Sequence, residues 1–88
     1  MPTISMFYGI IITLYFSDTG RHKTPHFHAK YGDDKAVYDL TGEIIGGKFP
    51  AKQSSLVKAW ALLHEDELKA NWELAVNYEP PFRIEGLK

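Results

Sequence analysis

Cysteine is absent from the 88 residues, which excludes a disulfide scaffold, a thiolate zinc site and cysteine catalysis. An excess of one charge is absent too. Ten Lys and Arg stand against eleven Asp and Glu, for a net charge of −1, so the whole-chain balance would not hold nucleic acid or an anionic membrane. No apolar run approaches the roughly 20 residues of a spanning helix. The N-terminus lacks a basic region followed by a small-residue cleavage site, so no signal peptide and a cytoplasmic location are expected. Gly46-Gly47 lacks the strand–loop–helix setting of a phosphate cradle, and no serine sits in a nucleophile elbow. Repeats and low-complexity segments are also missing. What is present is 44% hydrophobic and 14% aromatic residues, enough to exclude disorder. The length predicts a single domain over residues 1–88, one that buries only about two thirds of its unfolded surface.

The first half reads as strands. Residues 9–16 are β-branched and aromatic, with Ile10, Ile12, Leu14 and Phe16 on one face. Residues 25–32 form a second strand, where Phe27, Ala29 and Tyr31 point one way and His26, His28 and Lys30 the other. The Gly32-Asp33-Asp34 turn leads to a third strand over 35–41, with Ala36, Tyr38 and Leu40 on the core side. A fourth, over 43–49, is weakened by Gly46-Gly47. Pro50 opens the helical half. Val57, Trp60, Ala61, His64, Leu68, Trp72 and Ala75 fall at helical spacing. One helix of about 27 residues would be unusually long, and Glu65-Asp66-Glu67 suits a fresh N-terminus, so two helices with a bend near residues 64–66 are expected. Residues 82–84 add an edge strand or pack as a tail. The predicted class is α+β: an antiparallel sheet of about four strands with two helices on one face.

The unusual chemistry lies in the spacing H-x3-H-x-H of His22, His26 and His28. On a strand, His26 and His28 share a face with Cα atoms about 7 Å apart. Asp39 lies on that face of the next strand, opposite His26 if the turn is Gly32-Asp33 and opposite His28 if it is Asp33-Asp34. Three readings follow. Neutral imidazoles of His22, His26 and His28 bind a transition metal, with Asp39 as ligand or supporting partner. Alternatively, His26 and His28 exchange protons in phosphodiester cleavage while Lys30 or Arg21 holds the phosphate, since imidazole titrates near working pH. Or the face is simply solvated and forms part of an interface. His64 and Trp60 read as core residues of the helix stripe. Trp72 reads the same way, and would mark a partner site if exposed.

The residues Pro2-Thr3-Ile4-Ser5, Phe7-Tyr8-Gly9-Ile10-Ile11-Ile12, Tyr15-Phe16, Pro25-His26-Phe27-His28-Ala29, the helix of Trp60 and His64, and Asn71-Trp72-Glu73-Leu74-Ala75 resemble the small prokaryotic family catalogued as domain of unknown function 4160. The resemblance covers nearly the whole chain. Such families often have a histidine four residues before the first strand histidine, matched here by His22. The loop before it is longer, with Thr19-Gly20-Arg21, and the usual Pro-Pro is Thr24-Pro25. The resemblance attaches no activity or cofactor. It implies one half of a two-gene module, often beside domain of unknown function 2442, of toxin–antitoxin type. The expected function is therefore binding of a small protein encoded by the neighbouring gene, through a sheet edge or the Trp-bearing helices. A histidine-dependent ribonuclease acting on RNA and a metal-binding protein are the alternatives. An uncovered sheet edge also permits a homodimer.

Overall fold

A computed structural model describes residues 3–14 and 24–88. They form β1 (Thr3–Phe7), β2 (Ile10–Thr13), β3 (His26–Tyr31), β4 (Asp34–Asp39), β5 (Ile44–Gly47), α1 (Ala51–Leu63) and α2 (Glu65–Val76). The strands make one antiparallel sheet in the order β1-β2-β3-β4-β5. The α+β class is as expected, but the sheet has five strands rather than four.

The additional strand is β1. Its hairpin with β2 closes through Tyr8-Gly9, with Phe7 opposite Ile10. Both loop residues have positive φ, 50° at Tyr8 and 78° at Gly9, as a two-residue type I′ turn requires. Tyrosine rather than asparagine at the first position hides that turn in the sequence. A register shift between Thr3 and Ser5 buries Ile4 and Ser5 consecutively, so β1 also lacks the alternation that reveals a half-buried strand.

The helices cover the face bearing Phe27 and Tyr38. Those two rings stack at 5.6 Å between centroids, and Trp60 from α1 meets Phe27 edge-on, also at 5.6 Å. Phe7 lies against the other side of Trp60 at 5.4 Å. All except Phe7 are fully buried; each such aromatic takes 150–250 Å² or so from water. The Tyr38 hydroxyl donates to Ser54 Oγ at 2.9 Å, which ties the sheet to α1 by a polar bond inside apolar packing. At Gly42 (φ 90°) the chain passes so close to α1 that a Cβ would stand 2.8 Å from Lys58 Cα, so only glycine fits.

The helix pair breaks at His64, whose backbone (φ −120°, ψ 28°) leaves the helical region. Glu65, Asp66 and Glu67 follow as the first turn of α2, where carboxylates meet the positive end of the helix dipole. His64 Nδ1–H donates to Glu67 Oε1, so this half-buried histidine is satisfied locally. No helix among the described residues is long and apolar enough to cross a membrane.

The segment after α2 is a strap. Tyr78 adopts φ 58° and its N–H reaches Ala75 O, while Glu79 N–H reaches Leu74 O; this pair of bonds closes a helix C-terminus in the Schellman manner. The Asn71 side chain then grips the tail, donating from Nδ2 to Phe82 O and accepting from Phe82 N–H, both at 2.9 Å. Trp60 Nε1–H donates to Glu85 O at 2.9 Å, and Ile84 N–H donates to Ile4 O at 2.7 Å. The tail thus lies along the outer edge of β1. Among the described residues nothing pairs with the outer edge of β5.

Candidate functional site

His26 and His28 both lie on β3 with their rings on the side away from Phe27, as alternation predicts. The rings meet edge to face at 5.3 Å between centroids. They differ in surroundings. His26 is 2% exposed, because Trp72 of α2 covers it at 5.2 Å. His28 is half-buried and lines the open cavity on the outer face. His26 Nδ1 stands 2.9 Å from Thr24 O. A carbonyl can only accept, so Nδ1 carries a proton and donates it to Thr24 O.

Asp39 stands directly opposite His26, because the hairpin turns at Gly32-Asp33 and pairs Tyr31 with Asp34. Its carboxylate is engaged by the turn that follows. Oδ1 accepts from Thr41 N–H at 2.9 Å, the Thr41 hydroxyl at 2.7 Å and Glu43 N–H at 3.1 Å. Partial burial raises the Asp39 pKa, but these bonds outweigh it and hold the carboxyl below its ordinary value. Asp39 is therefore a turn-forming anion beside the histidines. Tyr38, on the opposite face, is shifted up by burial against a smaller opposing effect of Ser54.

Two concavities flank the histidine pair. One, of about 350 Å³, lies between the end of the sheet and α2 and is lined by Thr24, Pro25, Asp39, Lys69 and Trp72 among others. Trp72 is 8% exposed, so it serves as a wall of this space and a cover for His26, not as a protruding anchor. The other, of about 370 Å³, is the outer face of the sheet, where Ile11, Thr13, His28, Lys30, Lys35 and Val37 line an open groove. Among the described residues no carboxylate lines it.

Lys30 projects into this groove and is exposed. Arg21 and His22 lie outside the described residues. Among the described residues no group of three His, Asp or Glu is arranged to hold a metal; the histidine trio depends on His22. Three further features went unread in the sequence. Lys35 sits directly opposite Lys30, a consequence of the Gly32-Asp33 turn. Ile44 and Ile45 are 45% and 51% exposed on β5. Asn71 anchors the tail.

Residues 9–73 match the family described as Domain of unknown function (DUF4160). No curated protein and no solved structure matches the chain.

Proposed function

We propose that this chain, which belongs to the DUF4160 family, works by binding a small partner protein that adds an extended segment to the outer edge of β5. The family carries no assigned chemistry, so the reading rests on the sheet. A sheet edge presents unpaired backbone groups unless it is covered or blunted by charge or proline. Here one edge is strapped by the tail through Ile84 and Ile4. The other is the uncharged, proline-free Ile-Ile-Gly-Gly of β5, with Ile44 and Ile45 exposed. That contrast between the two edges is the supporting observation. The toxin–antitoxin-like role implied by the family's two-gene modules makes the neighbouring gene product the expected partner. Co-expression of the two should give one complex on size-exclusion chromatography, weakened by Ile44→Lys and Ile45→Lys. Two independently eluting proteins would refute the reading.

A second reading is favoured by the histidine pair itself. His28 lines a groove that also holds Lys30, so its imidazole would be the group to move a proton beside a bound phosphodiester, with the buried His26 ring behind it at 5.3 Å. RNA cleavage, or growth arrest on expression, is compared between wild type and His26→Ala/His28→Ala. Equal activity in the two removes the catalytic role.

A further inference from the structure

The outer face of the sheet carries a row of lysines that the fold does not explain. Lys30 and Lys35 are directly opposed on β3 and β4. Lys48 N–H donates to Lys35 O at 3.2 Å, so Lys48 stands level with them one strand further on. Neighbouring strands are about 4.8 Å apart, so three ammonium-bearing residues follow one another across the sheet at that pitch. Like charges directly opposed across strands destabilise a sheet. Lys58, Lys69 and Lys88, by contrast, are paired with Glu43, Glu65 and Glu85. Among the described residues no carboxylate pairs with Lys30, Lys35 or Lys48.

Between the cations the surface is largely apolar, with His28 as its one aromatic ring and Thr3 and Thr13 at its margin. Ile11 and Val37 form its floor, and Met6, paired with Ile11, is 57% exposed. Towards β5 the groove ends at Gly47, and beside it Gly46, opposite Val37, has no side chain to fill the space over Val37. The groove therefore runs to the same open edge that the proposed partner strand would extend.

We infer that the partner strand at the β5 edge is an extended, acidic–apolar segment, its carboxylates meeting the Lys35–Lys48 end of the lysine row and its apolar side chains the space over Val37 beside Gly46. This rests on the β5-edge reading and specifies the chemistry of the partner. Single-stranded nucleic acid fits less well, because its binding surfaces stack successive bases on several aromatic side chains, whereas His28 is the single aromatic ring among the residues lining this groove. A strand added to β5 lies two strand spacings, about 10 Å, from β4. A long lysine side chain and a glutamate can close that distance across Gly46 and Gly47.

The test uses a fluorescein-labelled peptide of about eight residues, a common strand length, in which Glu and Val take turns at every second position with Thr between, so that both face the same side, its Lys-for-Glu counterpart, and a single-stranded oligouridylate of equal charge. Fluorescence anisotropy should show the acidic peptide bound, the basic one not, and affinity falling with salt. Lys30→Glu/Lys35→Glu should weaken binding about tenfold or more, a loss of one tenfold step in Kd. The single variant Lys35→Glu places opposite charges across the strands, so it should raise Tm while lowering affinity, which a merely structural role would not do. No binding, equal binding by the variants, or tighter binding of the oligouridylate overturns the inference. A co-expressed complex that survives the double variant overturns this inference alone. Failure to form any complex overturns the edge reading and this inference with it.

Discussion

Replacing Asn71 by alanine should loosen the whole C-terminal strap. Asn71 is fully buried, and its amide both donates to Phe82 O and accepts from Phe82 N–H. Each bond contributes about 1 kcal/mol net, and the stranded backbone groups add a desolvation cost. Phe82 is 42% exposed, so water reaches part of what is released, which places the total at about 2–3 kcal/mol rather than higher. A domain of this length holds only about 4–13 kcal/mol, so the loss is a large fraction. It should lower Tm by about 10–20 °C, measured by circular dichroism. Hydrogen exchange localises the effect, because Ile84 N–H is bonded to Ile4 O and should lose protection with the strap. Asn71→Asp should do no better than alanine, since a carboxylate cannot donate to Phe82 O and would be a buried charge. A Tm within about 3 °C of wild type, with Ile84 exchange unchanged, would refute the assignment of Asn71 as the anchor.

Asp39→Ala should cost about 1–2 kcal/mol at neutral pH by removing the acceptor of the turn's hydrogen bonds. The Asp39 carboxyl lies below its ordinary value, so its contribution is present above about pH 4, the unfolded value, and is lost as pH falls through the lower folded one; urea midpoints of wild type and variant should converge in acid, and a constant gap would count against this. Gly42→Ala should destabilise by more than about 1 kcal/mol, because its Cβ would meet Lys58 Cα at 2.8 Å with φ at 90°; an unchanged urea midpoint would contradict the close approach. Tyr8→Asn should have the opposite sign, stabilising by about 0.5–1 kcal/mol, since Tyr8 is 59% exposed and holds φ 50°; a fall in Tm would show that Tyr8 contributes packing.

Periodicity carried most of the fold. The alternation in residues 25–41 separates Phe27, Ala29, Tyr31, Ala36 and Tyr38 from His26, His28, Lys30 and Val37; the structure buries the first group except the half-buried Tyr31, and leaves the second partly or fully accessible except His26, which Trp72 covers. The apolar stripe from Val57 to Ala75, interrupted by three acidic residues, marks two helices, which break at His64. Strand β1 escaped because Tyr8-Gly9 does not advertise its turn and the shift near Ser5 removes the alternation. The site was legible only in part. The shared face of His26 and His28 follows from a period of two, and the Asp39 register from the turn length.

The sequence by itself determined which side chains share a face, because that depends only on the local backbone repeat. It also determined where the helical half divides, because charge and backbone preference act within a turn or two. Only the tertiary structure decided what lies over each face. Trp72, forty-six residues beyond His26, covers that imidazole; the turn at Thr41 and Glu43 occupies the Asp39 carboxylate; and the tail closes one sheet edge while, among the described residues, nothing pairs with the outer edge of β5. These outcomes rest on contacts between distant segments, and no periodicity in one stretch of chain specifies which other stretch will cover it.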